Sequence, residues 1–297
     1  IFYNRYAVGH LLGKGGNGSV FAGVRRSDGK KVALKFVRKS VNDKYITVPG
    51  GTRRLPVEVA LMELVCKPPH FPFVIELLEW FETPVGFIIV LERPYPCVDL
   101  YKFCRHVALS EAMAKIIMQQ VIQAALHCRE RGVFHRDIKE ENILINTQTL
   151  EVKLIDFGCG DLHKDTPYNE YCGTCNSEMS TPICYPPEWI SSRMCEAESA
   201  TVWTLGVLLY SMLCGHKPFF RLGDIVHRQQ LFPTYLSKCE KIQKFYIQTF
   251  LTSYIISHSC LQSDKLVSSE RPEKTANTRA DARPQLAVTL YSGAAGV

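Results

Sequence analysis

His135-Arg136-Asp137-Ile138-Lys139-Glu140-Glu141-Asn142 gathers acids, bases and an amide into eight residues, and Asp156-Phe157-Gly158 follows with its Asp 19 positions after Asp137. That set suits transfer of a phosphoryl group to a hydroxyl. Asp137 would orient the hydroxyl and accept its proton, while Asn142 and Asp156 would give hard oxygen ligands to Mg2+. Lys139 would neutralise the group in flight, where preorganised charge counts most.

A second motif lies upstream. Gly13-Lys14-Gly15-Gly16-Asn17-Gly18-Ser19-Val20 has the spacing G-x-G-x-x-G-x-V. Glycines there let backbone N–H groups approach phosphate oxygens with no Cβ in the way. A dinucleotide fingerprint would require a helix next, but Ser19-Val20-Phe21 continues as strand. A Walker loop needs Gly-Lys followed by Ser or Thr, whereas Lys14 is followed by Gly15. Val32-Ala33-Leu34-Lys35 then sets a Lys on the next strand, placed to hold α- and β-phosphates, and Glu58 on the following helix is placed to pair with it. A lone strand Lys is normally a solvated residue. The order glycine loop, Lys35, Glu58, Asp137, Asp156 is what gives it meaning.

The elements that must position these groups fall into two sets. Residues 19–24, 31–37, 74–81 and 86–91 are short, apolar or alternating, and punctuated by Gly and Pro, so they read as strands. Ser27-Asp28-Gly29-Lys30 reads as a hairpin turn, and residues 56–66 as a helix with Pro at its first turn. After about Arg93 the pattern turns helical. Ser110-Glu111 opens a run with apolar Met113, Ile116, Ile117, Val121, Ala124, Ala125 and Cys128 that closes at Gly132. Short strands at 143–145 and 152–155, an irregular stretch over 158–187 and a helix over 202–214 follow. From Ser268 onward few large apolar residues remain, and the tail reads as poorly ordered.

Composition is compatible with this plan: 297 residues, 46% hydrophobic and 22% charged, exclude collagen-like and wholly disordered chains. A net charge of +6 is too diffuse to imply nucleic-acid binding. The longest apolar run, residues 202–215, is too short and too polar to span a bilayer, and no secretory signal is visible. The 12 scattered cysteines suit reduced thiols in a cytoplasmic or nuclear setting. Cys172 and Cys175 have C-x-x-C spacing, but Cys184 and Cys195 form no second pair, so free thiols are expected rather than zinc.

With these motifs in this order the chain resembles a eukaryotic protein kinase, and within that class the PIM serine/threonine kinases. The closer likeness rests on Leu91-Glu92-Arg93-Pro94-Tyr95-Pro96-Cys97-Val98-Asp99-Leu100, on Leu154-Ile155-Asp156-Phe157-Gly158-Cys159-Gly160 with Lys164-Asp165-Thr166, on Pro186-Pro187-Glu188-Trp189-Ile190, and on Val202-Trp203-Thr204-Leu205-Gly206 after Thr201. The resemblance implies an α+β, bilobal fold. Residues 1–91 would form a β-rich N-lobe, 92–96 the hinge, 97–267 a mainly helical C-lobe and 268–297 a divergent tail. It implies ATP and Mg2+ as cofactors. Leu12, Gly13, Lys14, Gly15, Gly16, Asn17, Gly18, Ser19 and Val20 would cover the nucleotide. Ala33 and Leu91 would line the adenine pocket, Lys35 with Glu58 would hold phosphates, and the Glu92 carbonyl would meet adenine. The resemblance also implies that a proline of this hinge removes the second backbone donor that most kinases offer adenine. Asp99 would lie near ribose and substrate, and Lys139, two residues after Asp137, implies Ser or Thr as acceptor. The family's preference for basic substrates makes Asp99, Glu140 and Glu141 the candidate acidic contacts.

Three departures are expected to matter. Asn17 replaces the aromatic usual at the loop tip, which should shield the phosphates less. Residues 175–185 lengthen the segment between Gly173-Thr174 and Pro186-Pro187-Glu188, where a peptide would dock. Around Arg271-Pro272, the candidate partner of Glu188, the usual helices are not recognisable. The expected protein is therefore a Ser/Thr kinase acting on proteins with basic motifs, monomeric, binding neither nucleic acid nor membrane. The competing reading is a catalytically weak nucleotide-binding scaffold.

Overall fold

The computed structural model describes residues 1–170 and 185–227, apart from Asn17, Asn42, Phe220 and Arg221. Its first half is built on antiparallel strands. Helix α1 (Phe2–Arg5) leads into β1 (Tyr6–Gly15), β2 (Gly18–Arg25) and β3 (Lys31–Arg38). A small hairpin, β4 (Tyr45–Thr47) and β5 (Arg54–Pro56), precedes helix α2 (Val57–Val65), and β6 (Leu77–Thr83) and β7 (Gly86–Glu92) complete the sheet. Its order is β1-β2-β3-β7-β6.

The turn between β2 and β3 forms because Gly29 takes φ +72 and the Asp28 carboxylate accepts the Lys30 N–H at 3.0 Å. Register then decides which side chains can work together. Val20 lies opposite Lys35, Lys35 opposite Ile89, and Ala33 opposite Leu91, so alternation brings Val20, Ala33, Lys35 and Leu91 to one face. The other face carries Leu34, Ile88 and Val90, which bury with Phe2, Tyr6 and Val32 under α1. The strand expected from residue 74 starts at Leu77, although Val74 still makes an isolated bridge to Leu154. Strand β1 escapes a pattern reading because it is a sheet edge, exposed almost throughout and interrupted by glycines.

Gly86 opens β7 where the chain has no room for a side chain. A Cβ there would stand 2.0 Å from the Val37 carbonyl oxygen. Gly86→Ala must displace backbone inside the central sheet and is expected to cost about 2–4 kcal/mol, read as a lowered denaturant midpoint with unchanged slope.

The second half packs helices around a short sheet. β8 (Cys97–Asp99), α3 (Leu100–His106), α4 (Glu111–Glu130), β9 (Val133–Phe134), β10 (Ile143–Asn146), β11 (Val152–Leu154) and β12 (Asp161–Leu162) precede α5 (Pro187–Ser192), α6 (Ala197–Cys214) and α7 (Leu222–His227). Ser110 caps α4, its hydroxyl accepting the Met113 N–H at 3.2 Å. Ile117, Val121, Ala124 and Cys128 of α4 face the main core with α2, β10, β11 and part of α6.

Helix α6 begins at Ala197, five residues before the apolar run predicts. Ser199 and Thr201 make that first turn look polar, yet their hydroxyls bond back to the Glu196 and Ala197 carbonyls and need no water. Among the described residues α6 is long and apolar enough to cross a membrane by composition, but 67% of it is buried inside the protein. It is a core helix. The 175–185 lengthening, apart from Tyr185, and the tail with Arg271 and Pro272 lie outside the described residues.

Candidate active site

The sheet and the helical half meet along a line of charged residues. Lys35 is only 5% exposed, and its Nζ lies 2.5 Å from Glu58 Oε1 and 2.9 Å from Asp156 Oδ1. Glu58 reaches it because α2 starts at Val57 and buries Val59, Ala60, Leu61 and Met62, which fixes the helix against the core. Burial opposes the Lys35 ammonium, but the two carboxylates outweigh it and hold the pKa above its ordinary value. Lys35 is thus a fixed cation at the mouth of the glycine loop's sheet.

Asp156 follows β11 with φ +64, in the left-handed region that few non-glycine residues adopt. The Gly158 N–H, 3.2 Å from Oδ1, and Lys35 together hold that carboxylate. Phe157 is fully buried and packs edge-on against His135 at 4.8 Å between centroids.

Asp137 is organised from the other side. The Asn142 Nδ2 donates to both the Asp137 carbonyl and Oδ2, each at 2.8 Å, and Lys139 Nζ stands 2.9 Å from the same Oδ2. The Asp137 N–H lies 3.3 Å from His135 Nδ1, and His135 Nε2 lies 3.1 Å from the Ile155 carbonyl. Burial pushes the His135 pKa below its ordinary value, so a neutral ring can accept at Nδ1 and donate at Nε2. The Ile155 N–H bonds the Asn142 carbonyl at 2.9 Å, which brings Asn142 and Asp156 to the same end of the β10–β11 ladder. Carboxylate and amide oxygens at that place are the hard donors that suit Mg2+.

The glycine loop is the β1–β2 hairpin, with Gly15 opposite Gly18, Lys14 opposite Ser19 and Gly13 opposite Val20. Gly18 has a packing reason: φ is +127 and a Cβ would stand 2.3 Å from the Phe36 carbonyl oxygen. Gly13, Gly15 and Gly16 have none, since a Cβ on any of them would meet no protein atom within 4 Å. Open space over bare backbone amides is what a phosphate chain would occupy. Leu12 is exposed at the same hairpin, and Asn17 lies outside the described residues.

The remaining predicted residues divide. Ala33 and Leu91 pair across β3 and β7, as an adenine-lining face requires. The Glu92 side chain pairs with Lys153 at 2.6 Å and accepts the Glu76 N–H at 2.9 Å, while its own N–H bonds the Glu76 carbonyl at 3.0 Å. Asp99 caps α3 by accepting the Lys102 N–H at 2.8 Å and pairs with Lys102 Nζ at 2.8 Å. Glu140, expected with Asp99 and Glu141 as an acidic contact for basic substrates, is held inside the protein. It is 5% exposed and its carboxylate is engaged by Lys217, so it braces the catalytic loop against the stretch after α6 instead of facing solvent. Glu141, its neighbour, is exposed. Cys195 is buried with Phe134, Tyr168 and Trp189, while Cys172, Cys175 and Cys184 lie outside the described residues. Sequence reasoning overlooked Asp161 and Lys44, which meet at 2.6 Å, because 117 residues separate them and no motif joins them.

Comparison with known proteins agrees with this geometry. The protein kinase domain pattern matches residues 6–267. The serine/threonine-protein kinase pim-2 of Danio rerio is 41% identical over 237 residues, covering 78% of this chain and 74% of that protein. The serine/threonine-protein kinase prk-2 of Caenorhabditis elegans is 32% identical over 94% of this chain and 64% of its own length. A CBL-interacting serine/threonine-protein kinase of Arabidopsis thaliana is 31% identical, with 46% of its length covered. The chain thus spans less than two thirds of the worm relative and under half of the plant one. The five-stranded sheet and the helical half are what a protein kinase domain implies, and the chain belongs to the protein kinase family as a serine/threonine kinase of the PIM type.

Proposed function

We propose that this kinase transfers the γ-phosphoryl group of ATP, with Mg2+, to Ser or Thr residues of proteins that carry basic residues ahead of the acceptor. The observation that carries the reading is the closed set Lys35–Glu58–Asp156 beside Asp137–Asn142–Lys139, in which each charged group has a partner that fixes it. Lys35 anchors the α- and β-phosphates. Asp137 aligns the acceptor hydroxyl and takes its proton as the hydroxyl oxygen bonds to the γ-phosphorus and the bond to the ADP oxygen breaks. Lys139 sits between Asp137 and the group being transferred and offsets its charge. Asn142 and Asp156 would hold Mg2+, which when bound neutralises phosphate charge. Ala33 and Leu91 supply the apolar walls for adenine.

The scaffold alternative is not favoured, because the Lys35–Glu58 and Lys139–Asp137 pairs are made and the similar proteins are named as kinases. Action as a monomer, without nucleic acid or membrane, in the cytoplasm or nucleus, belongs to the same proposal.

Substrate preference rests on exposed acids. With Glu140 taken by Lys217, Glu141 is the carboxylate beside Asp137 left facing solvent, and Asp99 contributes what charge its Lys102 partner leaves. The test is initial-rate transfer from Mg-ATP to serine peptides with and without upstream arginines. Glu141→Ala is expected to raise KM for the basic peptide about 10-fold and for the neutral one less than about 2-fold, as loss of one charge-assisted contact predicts. Equal effects on both peptides would remove Glu141 from recognition.

A further inference from the structure

Two halves of this site must hold one geometry, with Glu58 on α2 and Asp137 in the loop before β10. Asp161, at the start of β12, stands between them. Its Oδ1 accepts the Leu162 N–H at 2.9 Å, which sets the side chain. Its Oδ2 then meets two cations, Lys44 Nζ at 2.6 Å and Arg136 Nη1 at 3.4 Å.

Each cation leads to one half. Arg136 directly precedes Asp137 and has φ +68, a conformation that persists in a non-glycine residue only when its surroundings hold it. Its side chain is 5% exposed, lies over the Tyr168 ring at 5.6 Å and donates to the Glu170 carbonyl. Among the described residues Asp161 is the one carboxylate within ion-pair distance of that guanidinium. Lys44 leads to α2: its carbonyl accepts the Val57 N–H, the first amide of the helix, at 2.9 Å, and Glu58 is the next residue. The chain beside Asp161 also touches α2, since a Cβ on Gly160 would stand 2.5 Å from Leu61 Cδ1.

A half-exposed Lys–Asp pair alone contributes little. Here the shared carboxylate is only 17% exposed and its second partner is a buried guanidinium, where screening by water is weak. We propose that Asp161 is a positioning residue that ties the catalytic loop, through Arg136, to the start of α2, through Lys44, and so couples the Glu58–Lys35 pair to Asp137. The role rests on the kinase reading above, and nothing in the spacing of the motifs assigns it.

Asp161→Ala would strand a buried guanidinium, so the test uses the full chain with Asp161→Asn, Asp161→Glu and Lys44→Met. Two readouts are taken: kcat and KM for peptide transfer, and hydrogen exchange of the amides in the first turn of α2. Asp161→Asn is expected to lower kcat about 10-fold, shift peptide KM less than about 2-fold and speed α2 exchange about 10-fold, with Asp161→Glu recovering more than half of kcat. Lys44→Met, on the exposed arm, is expected to speed the same exchange while lowering kcat about 3-fold. Unchanged α2 exchange in both Asp161→Asn and Lys44→Met, or an Asp161→Asn kcat within about 2-fold of wild type, would overturn the proposal. A wild type that transfers no phosphate would sink the kinase reading instead, and the exchange measurement would still decide the coupling.

Discussion

Lys35→Met is expected to cut transfer of phosphate to an Arg-rich serine peptide about 100- to 1,000-fold and to abolish the thermal shift produced by Mg-ATP. Methionine preserves most of the volume of Lys35 but removes the cation that Glu58 and Asp156 share. Two effects follow from that single change. The α- and β-phosphates lose a preorganised charge at the sheet, and a buried carboxylate is left without its partner. Removing one member of a buried pair costs about 3–5 kcal/mol when the other cannot be neutralised. Glu58 can be neutralised by taking a proton, which gives the stability loss a definite pH dependence. Burial already raises the pKa of Glu58 in the wild type against the lowering effect of Lys35; without that ammonium it rises further above the unfolded value of about 4.3, so the folded variant binds the proton more tightly than the wild type does. The penalty is then smallest near the unfolded value and grows as pH rises through the folded one. Urea midpoints of Lys35→Met and wild type should therefore diverge from pH 5 to pH 8. A constant gap across that range would mean that Glu58 is not held as the structure shows. The same ledger predicts that Lys35→Arg, though still cationic, fails to restore transfer, because a larger planar group cannot occupy the 2.5 Å and 2.9 Å contacts made by a single ammonium.

How far these residues could be read from the chain follows from how local their chemistry is. Asp137, Lys139 and Asn142 sit within six positions, and the short-range geometry of one loop brings them together, so motif spacing finds them. Lys35 and Asp156 were legible because fixed-order motifs stand in for a distant contact, although 121 residues separate them. Glu140 shows where such reading ends. Its neighbours suggest a solvated acid, but its burial is decided by Lys217, 77 residues away on a stretch without any motif. Asp161 and Lys44 illustrate the same physics: both belong to short irregular stretches whose approach is set by packing of α2 against β12, which periodicity does not encode. The sheet was legible wherever one face is buried and alternation is clean, as in β3 and β7. It was not legible in β1, where both faces meet water. Helix α6 lost its first turn for a related reason, since hydroxyls that bond their own backbone look from composition alone like solvent-seeking groups.

Asp137→Asn separates chemistry from binding more cleanly than any change at Lys35. Asparagine is nearly isosteric and keeps an oxygen for the Asn142 amide, so the loop should hold its shape; the weakened contact to Lys139 is expected to cost about 1 kcal/mol. The lost function is proton acceptance from the acceptor hydroxyl, together with the negative charge that orients it. A positioned general base contributes about 100- to 10,000-fold, and a loss near 1,000-fold in kcat corresponds to about 4 kcal/mol of transition-state stabilisation. KM for ATP should change little, and the Mg-ATP thermal shift should persist, because the nucleotide contacts assigned to Lys35, Ala33 and Leu91 lie on the sheet and are untouched. Lys35→Met loses nucleotide protection and transfer together, whereas Asp137→Asn loses transfer alone. That contrast assigns the two charged centres to different steps. If Asp137→Asn retained kcat within about 10-fold of wild type, proton transfer would have to be assisted elsewhere. The fixed ammonium of Lys139, 2.9 Å away, would then become the dominant contributor to transfer from the catalytic loop. Residual activity in the Lys139→Met, Asp137→Asn double variant reads this directly, since groups acting as one unit show a combined loss far smaller than the product of their separate losses.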